Sequence, residues 1–141
     1  MNTLLARLDR PAIARHAAVP ASAALIAVAI VHIIDGPGSL SDQFYIGALE
    51  FALTAACVPL AIALVVRPTR DLWITTAALV GLALLLYLLS RTTGLPGSTD
   101  DIGNWGQALG IVSLATEAAV LAIAGWAFAR DRVGRQSPDA E

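Results

Sequence analysis

The 141 residues carry nine Lys and Arg against eleven Asp and Glu, a formal net charge of -2, so the basic surface that nucleic-acid binding requires is missing. With 57% hydrophobic residues, 14% charged residues and a mean hydropathy of +0.70, the chain is not an ordinary water-soluble domain, in which about a quarter of residues are charged. A single cysteine, Cys57, excludes an intramolecular disulfide.

At the N-terminus, Leu4, Leu5 and Leu8 with Arg7 and Arg10 fit a short helix lying on a membrane surface. Arg7, Arg10 and Arg15 ahead of an apolar run resemble a signal peptide. That run is long, however, and ends at His32-Ile-Ile-Asp35-Gly-Pro instead of a small-residue cleavage site, so it is expected to be a mature span. Four apolar runs, 17–34, 44–66, 72–90 and 105–129, are each long enough to cross a hydrocarbon layer about 30 Å thick. They predict an all-α polytopic membrane protein, a single domain of four transmembrane helices in a bundle. The tail 131–141 mixes charges with Gly, Ser and Pro and is expected to be disordered.

Every basic residue is arginine, and the distribution is lopsided. Arg7, Arg10 and Arg15 precede the first span, Arg67 and Arg70 separate the second from the third, and Arg130, Arg132 and Arg135 follow the fourth. Only Arg91 lies at the other end. The positive-inside rule then predicts that both termini are cytoplasmic. Phe44, Tyr45, Tyr87 and Trp105 are expected at the outer boundary, and Trp73, Trp126 and Phe128 at the inner one.

The loops contain a repeat. A shift of 59 positions places Pro37, Gly38, Ser39, Asp42 and Gly47 on Pro96, Gly97, Ser98, Asp101 and Gly106 without a gap. It also places the first span on the third and the second on the fourth, which predicts two similar helical hairpins in parallel orientation. In both copies the P-G-S-x-x-D string is expected to end one span and cap the next. The competing explanation is that Pro, Gly, Ser and Asp are simply the residues tight loops contain.

Charged groups inside spans are costly and usually face a bundle interior with a partner. Two stand out, Glu50 and Glu117, the second near the midplane. Each lies on a stripe of small or weakly polar residues at helical spacing: Gly47, Glu50, Thr54, Cys57 and Ala61, and Gly106, Gly110, Ser113, Glu117 and Ala124. The complementary groups are His32 and Asp35 at the end of the first span, and Tyr87 and Arg91 at the end of the third. One expectation is structural, with Arg91 neutralising Glu50 or Asp35. The functional one is a polar vestibule of His32, Asp35, Glu50, Tyr87 and Arg91 above a Glu117 carboxyl that gains and loses a proton.

His32, Asp35 and Glu50 are also the candidate metal ligands, although no Glu-x-x-His or Cys-x-x-Cys pair accompanies them. His16 and His32 sit at opposite ends of one span and cannot bracket a haem, and no cofactor is predicted. Walker-type and G-x-S-x-G motifs are missing, and neither a nucleophile nor a redox pair indicates an enzyme. The expected function is therefore binding or conduction of a small ion or proton. The alternative is a non-catalytic accessory or assembly subunit of a larger membrane complex, its surroundings being the lipid bilayer and either that complex or further copies of itself.

The stretch Ser90-Arg91-Thr92-Thr93-Gly94-Leu95-Pro96-Gly97, with His32 before it and Glu50 and Glu117 after polar loops, resembles a family of small, uncharacterised four-span membrane proteins. These occur chiefly in high-GC bacteria, and a similar S-R-T-x-G-L-P stretch closes their third span. The resemblance implies a bacterial inner-membrane location and a four-helix fold, and it implies no activity.

Overall fold

The computed structural model describes residues 15 to 136. The N-terminal surface helix expected around Leu4 to Arg10 lies outside the described residues. Among those described, four helices follow one another: α1 (Arg15–Asp42), α2 (Phe44–Val66), α3 (Arg70–Thr92) and α4 (Ala108–Gln136). Each holds an apolar stretch long enough to cross a membrane, so the fold is an all-α bundle of four membrane-spanning helices. Leucine and alanine, the dominant residues, are strong helix formers, and a helix satisfies its own backbone hydrogen bonds where water is missing. Pro20 and Pro37 inside α1 and Pro59 inside α2 each remove one such bond. Spanning helices tolerate this because neighbouring groups and local adjustments take up the freed carbonyl.

Several expected boundaries move. Helix α1 does not end near residue 34 at Gly36-Pro37-Gly38; it continues to Asp42, and the chain reverses at the single extended residue Gln43. Neither Gly36 nor Gly38 adopts a positive φ, so nothing there stops the helix. Ser39 and Asp42 do not cap α2, whose N-cap is Gln43 with no side-chain capping bond. Helix α4 begins at Ala108, with Trp105 to Gln107 still in the connection. It runs on to Gln136, into the tail expected to be disordered, and residues 137–141 lie outside those described.

The other two connections follow familiar local chemistry. Between α2 and α3, Thr69 caps α3 by accepting a hydrogen bond from the Leu72 amide at 3.3 Å, and Asp71 places negative charge in the first turn. At the end of α3, the amides of Thr93 and Gly94 both bond the Leu89 carbonyl, and Gly94 takes φ +80, the left-handed helix stop that glycine adopts without a Cβ clash. Leu95 and Ser98 then exchange backbone bonds at 2.8 Å around Pro96-Gly97, with Gly97 at φ +72, which is a type II turn.

Helix α1 packs most extensively on α2 and next on α4; α3 leans on α4 and meets α2 only thinly, while α1 and α3 lie diagonally opposite. The apolar core fills the half nearer the arginine-rich end, with Leu25, Leu64, Trp73, Val120 and Ala127 buried. Trp73 therefore belongs to the core and not to the expected boundary belt, because its ring fills space between helices. Trp126 is exposed, with the Arg130 guanidinium 5.1 Å from its ring centroid.

Candidate functional site

The deepest polar group is Glu117 on α4, 0% exposed. Ser113, one helical turn earlier, donates its hydroxyl to Glu117 Oε1 at 3.1 Å. His32 Nε2 from α1 approaches the same oxygen at 3.1 Å, and Ser113 Oγ lies 3.4 Å from that nitrogen. The pairing of His32 and Glu117 joins two helices that the sequence places 85 residues apart. Glu117 Oε2 and His32 Nδ1 are both buried without a hydrogen-bond partner. A carboxyl group held on one oxygen and bare on the other is incompletely satisfied, which in a dry interior costs free energy unless the group is protonated or gains a cation.

A second group surrounds Arg91, which is buried at the end of α3. Its Nη1 forms an ion pair with Asp101, and its Nη2 donates to Gln107 Oε1 at 2.6 Å. The guanidinium also lies 5.0 Å from the Tyr87 ring centroid, and Tyr87 meets Trp105 edge-on at 6.4 Å. Arg91 is thus neutralised by Asp101 of the α3–α4 connection, not by Glu50 or Asp35 as expected. Asp101 can reach it because Gly103 bonds the Arg91 carbonyl and folds the connection back over the helix end. Gly110 makes room for Tyr87: a Cβ there would lie 2.6 Å from the tyrosine oxygen.

Glu50 on α2 forms the third group. Ser39 of α1 donates to its Oε1 at 3.1 Å, and its Oε2 is buried without a partner. Asp35 and His32 lie within electrostatic range of it. The close packing of α1 on α2 that creates this contact depends on Gly47, where a Cβ would fall 2.5 Å from the Leu40 backbone nitrogen.

These groups border one cavity of about 480 Å³ that opens at the end carrying the α1–α2 and α3–α4 connections. His32, Asp35, Glu50, Tyr87 and Arg91 all line it, together with Asp101, Gln107 and Ser113. Glu117 does not line it; the carboxyl lies behind His32 and Ser113. Glu50 thus borders the cavity while Glu117 is buried beside it, and the two hold different partners. Among the described residues no three His, Cys, Asp or Glu side chains are grouped to hold a metal ion, so His32, Asp35 and Glu50 do not form the ligand set considered from the sequence.

The sequence reading missed Asp101 and Gln107. Asp101 sits in a turn-rich string whose chemistry suggests capping, and Gln107 falls within the apolar run 105–129, although α4 starts one residue after it. The small stripe of α2 faces inward, where Thr54 bonds the Ala29 carbonyl and Ser22 bonds that of Ala61, tying α1 to α2; on α4, Gly110, Ser113, Glu117 and Ala124 are buried, whereas Gly106 is exposed in the connection before the helix. No protein-family model, curated protein or solved structure matches the chain.

Proposed function

We propose that this is a bacterial inner-membrane protein with cytoplasmic termini that binds a proton or another small cation at Glu117, reached through the cavity from the outer side. The observation that carries this reading is the state of the Glu117 carboxyl: removed from water, bonded on one oxygen only, and separated from an open cavity by a histidine. Intramembrane carboxyl and imidazole groups in contact are the residue types of proton relays. In such a relay His32 accepts a proton on Nδ1 and passes the one on Nε2 to Glu117 Oε1. Reverse transfer restores the original tautomer. Beyond Glu117 the interior is closed by Leu25, Leu64 and Val120, which favours uptake and release at one face over conduction through the bundle. The arginines at the opposite end support the orientation, and the likeness of residues 90–97 to the four-span family supports the location.

Glu117→Gln keeps the size and the Ser113 bond while removing the titratable group. Infrared titration of the reconstituted protein is expected to show a carboxylic-acid band that this substitution deletes. A band identical in the two proteins would overturn the proposal.

A second reading, an accessory subunit of a larger membrane complex, draws on α3. Only 17% of its apolar stretch is buried, against 44% for α1, so most of its surface faces outward. Gentle extraction that recovers a stoichiometric larger partner supports this reading, and recovery of a self-oligomer alone counts against it.

A further inference from the structure

We infer that the cavity binds a lipophilic organic cation, with its apolar body between α2 and α3 and its charge met by Glu50. The site shares a cavity with the proton-binding proposal but depends on a different carboxylate, so the two can fail separately.

The cavity volume of about 480 Å³ falls in the range of small-molecule sites, roughly 300–1,000 Å³. Its long walls are apolar, built from Leu49 and Leu53 on α2 and Leu79, Leu82 and Leu86 on α3. These are the two neighbouring helices that touch least, so the space between them is a consequence of how the bundle packs. Leu49 and Leu82 border the cavity and are about half exposed, so its wall between α2 and α3 is not sealed. A solute that partitions into the bilayer has a direct entrance.

The sign of the ligand follows from the polar end. The acidic lining residues there are Asp35, Asp42, Glu50 and Asp101, against the single arginine Arg91. Arg91 is already engaged by Asp101 and Gln107, which leaves three carboxyl groups uncompensated. Of these Glu50 is the one placed to act: Ser39 fixes one oxygen, and the other is buried with no partner. An anion would meet repulsion from all three, and a multivalent metal ion would lack a ligand group among the described residues. A bulky monocation satisfies the bare oxygen electrostatically while its hydrocarbon surface fills the leucine-lined cleft.

Tetraphenylphosphonium and tetraphenylborate are matched in size and shape and opposite in charge, which makes the test independent of any variant. Binding of each to the full-length protein in nanodiscs is measured by equilibrium dialysis against empty nanodiscs. The phosphonium is expected to bind saturably and the borate at least about tenfold more weakly, because a buried carboxylate discriminates sign strongly. Glu50→Gln should weaken the phosphonium at least about tenfold while leaving circular dichroism and elution position unchanged, and Asp35→Asn should do so less. Glu117→Gln should leave it within about twofold. Equal binding of the two ions, no saturable binding because lipid chains fill the cleft, or an unchanged affinity in Glu50→Gln would each overturn the inference. Loss in Glu117→Gln but not in Glu50→Gln would instead assign the ligand to the deeper carboxyl.

Discussion

The two hairpins write Pro-Gly-Ser-x-x-Asp at corresponding positions and use it in opposite ways. In the first, Pro37-Gly38-Ser39 is part of α1, which ends at Asp42 and turns on one residue. In the second, Pro96-Gly97 forms the centre of a type II turn within a connection that ends only at Gln107. The string itself does not decide. What differs is the residue two places ahead of the proline: Gly94 takes the left-handed conformation and stops α3, whereas its counterpart Asp35 continues α1. The consequence reaches the cavity, since a helical Ser39 points at Glu50 while the looped Asp101 folds back onto Arg91. The hairpins are also joined here, because Gln43 and Tyr45 at the start of α2 donate to the Gly97 and Pro96 carbonyls. The start of α2 thereby holds the turn that follows α3.

Substitutions that exchange residues between the two hairpins break this comparison most severely at the carboxyl positions. Val58 corresponds to Glu117 under the 59-residue shift, yet it is 40% exposed on the outside of the bundle. Val58→Glu therefore places a carboxyl against lipid without His32, at a cost of about 3 kcal/mol. Reversible unfolding in mixed micelles measures it, and a Val58→Glu protein as stable as the parent would mean that this face of α2 is not lipid-facing. A smaller effect separates the two glycines that follow. Gly47 abuts the Leu40 backbone, so Gly47→Ala is expected to cost about 2 kcal/mol through overpacking, whereas Gly106 has open space around it and Gly106→Ala should be near neutral. Equal effects at the two positions would indicate that the α1–α2 approach relaxes easily.

The fold was legible in the sequence for the reason that membrane folds usually are: hydrocarbon demands long apolar helices, and four runs were long enough. The inward stripes were legible too, since a glutamate among Gly, Ser, Thr and Ala at helical spacing has only one comfortable direction. The cluster of His32, Asp35, Glu50, Tyr87 and Arg91 followed from the end of the bundle they share. Its pairing did not. Whether Arg91 meets Asp101 or Glu50 depends on the path of an irregular connection, which no periodicity encodes. Nor did the sequence show that His32 reaches Glu117, because that contact requires α1 and α4 to be neighbours while α1 and α3 are diagonal.

The finest test of the comparison uses one substitution at two equivalent places and expects opposite signs. Gly38 lies within helical backbone with no heavy atom near its missing Cβ, so Gly38→Ala should stabilise the protein by about 0.5–1 kcal/mol through higher helix propensity. Gly97 has φ +72, and although the nearest atoms of Gln43 stand at an ordinary 3.6 Å, alanine there meets its own backbone. Gly97→Ala should therefore destabilise by about 1–2 kcal/mol. Both sites are exposed and both alter one methyl group, so differences in burial or insertion largely cancel between them. Parallel unfolding curves shifted in opposite directions would attribute the divergence of the hairpins to local backbone conformation. Shifts of the same sign would mean that the shared string is held in one conformation in both hairpins.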